Sequence, residues 1–318
     1  MSNVAVKIIN LVKKFGNVTA VNNLNLDIYE GEIFGLLGPN GSGKTTTLLI
    51  ITTVYKPTSG DVEIYGYSVT RHGDIVRRLV GIAFQEPKAL WVDNPYELLL
   101  WHAMVVGYSV IGARRVIRDI MEELDLWEHR GKFISELSGG TRKKVEIAKL
   151  FIQKPKIAIF DEPTAQLDVT TKHRVWDKIK ALRDEGSTII VATNDMLEAE
   201  RLADRIAIIH KGTLKALGTP SELKDRIPGG DIIELRVDNR IPDGIVKSLI
   251  EAIEARKLDY SDGVIRAYVN RGEEKIAIAI DILSRNNIKV KSVSLKEPTL
   301  DDVFFYFTGA RLEEGRIQ

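Results

Sequence analysis

Eight consecutive residues carry the first chemical signal in the chain. Gly38-Pro39-Asn40-Gly41-Ser42-Gly43-Lys44-Thr45 fits G-x-x-x-x-G-K-[ST] at every position, and Thr46 follows. In such a loop the glycines let the backbone wrap around phosphate oxygens, with its amides pointing inward at the positive end of a following helix. Lys44 is then the side chain that reaches the β- and γ-phosphates, and the Thr45 hydroxyl is a magnesium ligand. The second signal is the apolar run Ile157-Ala158-Ile159-Phe160, which ends in Asp161-Glu162. A carboxylate at a strand end, Asp161, suits magnesium held through water. Glu162 would project toward the γ-phosphate, where a general base polarises water. Taken alone, the pair is as readily an ordinary strand-end turn; the phosphate loop upstream is what favours the chemistry.

Those residues need particular elements to position them. Ile33-Phe34-Gly35-Leu36-Leu37 is a continuous apolar run after the turn Glu30-Gly31-Glu32, as a buried central strand requires, and a helix-like stretch begins at Lys44. Leu24 to Ile28 alternates with period two. Residues 88–155 read mostly as helix, opened by Asn94-Pro95-Tyr96-Glu97, with Asn94 as cap and Pro95 in the first turn. Ile157 to Phe160, Ser187 to Ala192 and Arg205 to His210 read as buried strands, so the pattern is α/β with a helical insertion. Pro228-Gly229-Gly230 marks a boundary. Beyond it the periods predict β-α-β-β-α-β, a ferredoxin-like sandwich, although Ile276 to Ile280 also fits a strand.

Composition narrows the classes. The 318 residues suffice for about two domains. With 45 basic and 44 acidic side chains the net charge is +1, which argues against nucleic acid as a partner. The absence of cysteine excludes disulfides, thiolate metal sites and cysteine nucleophiles. The best candidate span, Leu98 to Ala113, is shorter than the ~20 apolar residues a spanning helix needs. Met1-Ser2-Asn3 lacks the start of a signal peptide. The expectation is a soluble, intracellular chain whose membrane role, if any, comes through a partner.

A third motif decides the class. Leu137-Ser138-Gly139-Gly140-Thr141 precedes the helix-like Arg142 to Phe151 and the acidic strand, and it resembles the signature sequence of ABC-type ATPases. Its neighbours agree. Gln85 follows the strand Val80 to Phe84, as in that family's Q-loop; Ala165-Gln166-Leu167-Asp168 resembles its D-loop; and Phe15 sits where the family places an adenine-stacking aromatic. The resemblance covers residues 1 to about 225. It implies a P-loop ATPase domain over 1–227, with a RecA-like core, an antiparallel β subdomain and a helical subdomain at about 88–155, followed by a small α+β domain over 228–318. It implies ATP and Mg2+ as cofactors, with Thr45, Gln85 and Asp161 as metal residues. It further implies two copies paired head to tail around two ATP molecules. Each site would take Phe15, Gly38 to Thr46, Gln85, Asp161 and Glu162 from one copy and Ser138, Gly139, Gly140 and Asp168 from the other.

The sequence departs from the family at two positions. Asn194, in Ala192-Thr193-Asn194-Asp195, stands where the family has a histidine, and His210 is a poor substitute. A lost transition-state donor costs about 3 kcal/mol, roughly a hundredfold in rate. An asparagine amide replaces part of it, so the expectation is slow hydrolysis, with functional equivalence as the alternative. Thr141 replaces the usual signature glutamine, and little effect is expected.

The ending, Leu295 to Phe304, resembles ATP-binding subunits of the drug- and sodium-exporter type. That favours an efflux system in which this chain drives a separate integral membrane permease from the cytoplasmic face, received near Leu90 and Trp91. The alternative is an ATP-dependent dimerisation switch with little turnover, supported by Asn194. A DNA-repair or translation protein of the family, or a P-loop GTPase, fits poorly. The aromatic cluster Phe304 to Phe307 either packs on its own domain or forms a dimer contact.

Overall fold

The computed structural model describes residues 3–85, 94–227, 230–238 and 241–309. Leu90 and Trp91 lie outside the described residues. The chain divides into two compact units between Leu217 and Gly218, upstream of the Pro228-Gly229-Gly230 break at which the sequence reading placed the boundary.

The first unit opens with β1 (Val4–Phe15), β2 (Val18–Tyr29) and β3 (Ile33–Leu37), and the glycine-rich loop joins β3 to α1 (Lys44–Ile51). There follow β4 (Ser59–Ile64), β5 (Tyr67–Ser68), α2 (Gly73–Leu79) and β6 (Val80–Ala83). Three helices come next, α3 (Pro95–Val105), α4 (Val110–Glu123) and α5 (Gly139–Gln153). The unit closes with β7 (Ile157–Asp161), α6 (Val169–Asp184), β8 (Thr188–Thr193), α7 (Met196–Leu202), β9 (Arg205–His210) and β10 (Thr213–Gly218).

The strands make two sheets, one in the order β2-β1-β4-β5 and one in the order β10-β9-β3-β8-β7-β6. The run β9-β3-β8-β7-β6 is parallel throughout. Both faces of the larger sheet are covered, which is why β3, β7 and β8 are buried at every residue and read as unbroken apolar runs. On β7, Ile157 and Ile159 join a core shared with the antiparallel sheet and α1, while Ala158 and Phe160 face a core shared with α3 to α6. The sandwiched sheet thus presents the ends of β3, β6, β7 and β8 side by side.

The apolar stretch Leu98 to Ala113 is two helices rather than one. Gly107 has φ 104°, which favours glycine, and Ser109 caps α4 by accepting from the Gly112 amide. At the start of α3, Asn94 accepts from the Glu97 amide and Pro95 occupies the first turn, as the sequence predicts. Among the described residues no helix is long and apolar enough to cross a membrane.

The second unit contains α8 (Pro220–Asp225), β11 (Asp231–Val237), α9 (Asp243–Ala252), β12 (Lys257–Ser261), β13 (Val264–Val269), α10 (Gly272–Arg285), β14 (Val290–Lys296) and α11 (Leu300–Thr308). From β11 to β14 this is β-α-β-β-α-β, and the sheet order β12-β13-β11-β14 with antiparallel neighbours is that of a ferredoxin-like sandwich. The ambiguous run Ile276 to Ile280 is helix: Ile276, Ala279, Ile280 and Leu283 pack in the core while Ile278, which a strand would place on the same face as Ile276 and Ile280, is exposed. Thr299 and Asp302 form a capping box that opens α11. Of its aromatics, Phe304 is fully buried and Tyr306 meets Tyr268 of β13 within this unit.

Candidate nucleotide site

β3 delivers the loop 38–45 to the N-terminus of α1. Backbone wraps it tightly. A Cβ on Gly38 would stand 2.2 Å from the Ile209 carbonyl oxygen, and one on Gly43, at φ 104°, would stand 2.4 Å from that of Ala20. Pro39 is buried, whereas Asn40, Gly41 and Thr45 are exposed and Thr46 is half-buried. Lys44 is buried, and its ammonium donates to the Gly38 and Pro39 carbonyls at 2.7 and 3.2 Å. Burial lowers its pKa, opposed by the nearby Glu162 and Asp161. The Ser42 hydroxyl is buried inside the loop without a hydrogen-bond partner.

The acidic pair meets this loop directly. The Thr45 hydroxyl donates to one Asp161 carboxylate oxygen at 2.9 Å, and the other Asp161 oxygen is buried with no partner. Burial raises the pKa of Asp161, with the Thr45 bond and the cations Lys143 and Lys44 acting against it. At Glu162 the chain leaves the strand with φ 48°, a left-handed conformation uncommon for a residue with a Cβ. Its amide is held by the Ala192 carbonyl at 2.8 Å. Burial raises the Glu162 pKa as well, offset first by Lys44. Gln85, just beyond β6, donates its side-chain amide to the Glu162 carboxylate at 2.7 Å. Lys44, Thr45, Gln85, Asp161 and Glu162 are thus joined by hydrogen bonds and charge.

Asn194 follows β8, where the Gly38 amide donates to the Thr193 carbonyl at 3.3 Å, so it borders the start of the phosphate loop. His210 ends β9 and is buried. Phe15 is exposed at the end of β1, edge-on to Tyr55 with ring centres 5.4 Å apart, and the Lys13 ammonium lies 4.9 Å from its ring.

The signature residues form a separate cluster. Ser138 caps α5 by accepting from the Thr141 amide, and its hydroxyl lies 2.8 Å from that of Thr141, so the residue replacing glutamine ties back to the cap. A Cβ on Gly139 would meet the Gln166 side chain at 2.4 Å, and one on Gly140 the Gln166 carbonyl at 3.0 Å. Asp168 caps α6, accepting from the Thr171 amide and hydroxyl, and these bonds lower its pKa. Among the described residues, the hydrogen bonds of Ser138 and Asp168 stay within their own helix starts and do not reach residues 38–45.

Two site residues escape the sequence reading. Lys143, on α5, is only 3% exposed, and its ammonium donates to three carbonyls: Asp161 at 2.7 Å, Phe84 at 2.9 Å and Gln85 at 3.3 Å. Burial brings its pKa down to about 8, against the pull of Asp161 and Glu146. Glu146, three residues on, is buried beside it and accepts from the Phe84 amide at 3.5 Å. The signal was present: Lys143 shares a helix face with Ile147 and Leu150, positions where a solvated charge does not belong.

With this geometry in view, the likeness to known proteins is specific. The ABC transporter family matches residues 21–165. The chain is 32% identical over 307 residues to the daunorubicin/doxorubicin resistance ATP-binding protein DrrA of Streptomyces peucetius, covering 96% of this chain and 92% of that protein. It is 31% identical over 320 residues to the Nod factor export ATP-binding protein I of Bradyrhizobium diazoefficiens, covering 99% of each. Among solved structures, an ATP-binding subunit of an ABC transporter superposes with TM-score 0.65 at 26% identity, over 70% of this chain and 93% of that one. A dimeric, post-hydrolysis ATP-binding cassette bound to ADP and Pi superposes with TM-score 0.63 at 29% identity, over 67% and 98%. The chain belongs to the ABC transporter family. It is an ATP-binding subunit of that family, with ATPase activity.

Proposed function

We propose that the chain hydrolyses ATP to drive export through a separate integral membrane permease, working as a head-to-tail pair of copies at the cytoplasmic face. The observation that carries this reading is the division of the site into two clusters. One holds the phosphate loop, Gln85, Asp161 and Glu162. The other holds the helix start at Ser138-Gly139-Gly140, packed on Gln166 next to Asp168. A second copy facing the first would bring its Ser138 hydroxyl and glycine amides to the γ-phosphate, where the N-terminus of α5 favours negative charge. ATP then joins the copies and its cleavage releases them, because the two states differ in affinity for one phosphate.

The residues fit ATP with a divalent cation. The partnerless Ser42 hydroxyl and Asp161 oxygen are buried polar atoms that such a ligand would satisfy, and Thr45 and Asp161 supply the hard oxygens that Mg2+ prefers. Thr45, Asp161 and Gln85 would hold the metal, which neutralises phosphate charge when bound. Glu162 would accept a proton from the attacking water, with Gln85 orienting its carboxylate. Lys44 would bind the β- and γ-phosphates, and Asn194 would donate an amide hydrogen to the γ-phosphate. Phe15 would stack on adenine, and nucleic acid is not an expected partner.

Two features support export through a permease. Relatives along nearly the whole length are named for drug resistance and Nod factor export. Trp101 and Val105, one turn apart on α3, and Ile111 at the start of α4 are 66, 82 and 84% exposed, a surface suited to an apolar intracellular helix of the permease. Steady-state ATP hydrolysis tests the reading, with Glu162→Gln and Asn194→His run alongside and dimerisation with magnesium-ATP read by size. Turnover in the wild type, lost in Glu162→Gln with a trapped dimer, upholds it. ATP-dependent pairing without hydrolysis, even with the permease present, would replace it by a binding switch, the reading that Asn194 favours.

A further inference from the structure

The start of α5 carries two groups: Ser138, Gly139 and Gly140 at its N-terminus, and Lys143 and Glu146 in its first two turns. A helix rises about 1.5 Å per residue, so Lys143 lies only about 7.5 Å along the axis from Ser138. Lys143 is buried, and among the described residues its ammonium is satisfied by backbone rather than by an ion pair. Its three hydrogens go to three main-chain oxygens, those of Phe84, Gln85 and Asp161. Phe84 is gripped at both polar groups of its backbone, its carbonyl by Lys143 and its amide by Glu146. Both residues are almost wholly buried, at 3 and 1% exposure. Burying a charge is costly unless it is satisfied: Glu146 is also paired with Lys149 at 2.7 Å, and removing the Lys143 ammonium strands the three carbonyls it serves.

The targets of these bonds are the backbone supports of the hydrolytic side chains. The Gln85 carbonyl belongs to the residue whose amide orients the Glu162 carboxylate at 2.7 Å. The Asp161 carbonyl is the acceptor of the peptide whose nitrogen is that of Glu162, at the point where the chain turns with φ 48°. One ammonium therefore fixes the backbone on both sides of the Gln85–Glu162 hydrogen bond.

We propose that Lys143 is a positioning residue for ATP hydrolysis, tying the signature helix of a copy to its own Gln85 and Glu162, so that engagement of Ser138 by the opposite copy's nucleotide moves that copy's hydrolytic pair. Glu146 is the second half of the clasp and holds the Phe84 amide. The proposal rests on the reading of Glu162 and Gln85 as the hydrolytic residues.

The test uses the full chain. Lys143→Met keeps length and loses the three donors; Lys143→Arg keeps donors. Turnover is measured together with the affinity for a fluorescent ATP analogue and the thermal midpoint. Lys143→Met is expected to lower kcat by roughly tenfold to a hundredfold, the scale produced by a misplacement of about an ångström, with analogue affinity within about twofold of wild type. Lys143→Arg is expected to recover part of the loss. In combination with Gln85→Ala, Lys143→Met should slow turnover no further than the slower single change, because both act on the same carboxylate. Normal kcat in Lys143→Met, equal losses in kcat and affinity, or multiplying effects in the double variant would each overturn the proposal. Should Lys143→Met fail to fold, Lys143→Gln replaces it with the same expectations; if neither folds, the lysine is structural and the proposal fails. Glu162→Gln separates the two levels. Retained turnover in that variant sinks the assignment of the base, and the proposal with it. Lost turnover there beside a normal Lys143→Met overturns the proposal alone.

Discussion

Glu162, the proposed general base, combines three properties that suit that role. It is buried against a lysine, it is oriented by an amide donor, and its backbone is bent into the left-handed region so that the side chain leaves the end of β7 sharply. Glu162→Gln should lower turnover by roughly 10²–10⁴-fold, the usual contribution of a positioned base, with nucleotide binding retained; single-turnover kinetics beside an ATP titration would check this. The pH dependence has a definite sign. A base works ionised, and burial holds this carboxyl above the ordinary value of 4.5. As pH falls the charge is lost early, so the acid limb of the kcat/KM profile, which reports the nucleotide-free protein, should bend above 4.5 and be absent from any residual activity of Glu162→Gln. At Gly38 the constraint is steric. A methyl group would press on the Ile209 carbonyl of β9, which cannot yield without moving the sheet, so Gly38→Ala should cost about 1–3 kcal/mol in thermal unfolding and weaken ATP binding.

The elements show which parts of this site could be read in advance. Caps act locally, so Asn94 announces its helix from adjacent residues alone and accepts the expected backbone amide, whereas Ser138 and Asp168, read from the sequence only as signature and D-loop residues, prove also to cap α5 and α6. Asn94→Ala should therefore destabilise α3 by about 1 kcal/mol, seen as a lower midpoint in chemical denaturation with nucleotide affinity unchanged. Buried strands announce themselves too, because both faces of β3, β7 and β8 are covered and no polar residue interrupts them. Periodicity leaves Ile276 to Ile280 open, where every second residue is isoleucine; in the fold Ile276 and Ile280 pack on the core while Ile278 between them is exposed, as only a helix allows. Lys143 was missed for a different reason. A lysine on a helix with other charges reads as solvated, and the carbonyls that satisfy it come from residues far away in sequence, at the ends of β6 and β7. The extra length assigned to the first domain has a similar origin, since Pro228-Gly229-Gly230 is the more obvious punctuation but α8 belongs with the second unit.

At the scale of the molecule, two units with separate hydrophobic cores share one chain, and solved cassettes superpose on 67–70% of it. The proposed coupling surface lies on the helical layer of the first unit. Trp101→Asp with Ile111→Asp should abolish transport by cells carrying the permease while ATP hydrolysis by the isolated chain stays within about twofold, because single-site surface changes away from the fold's special features are nearly neutral. Loss of both together would place these residues in the fold rather than at the interface. The same exposed side chains bear on how the system must be produced. On the proposed reading, a chain synthesised in excess of a membrane permease shows Trp101, Val105 and Ile111 to every other excess copy, a source of self-association. Balanced synthesis of the two gene products would then be a colloidal requirement as well as an economy, and the excess subunit, rather than the excess permease, would set how far expression can be raised before it precipitates.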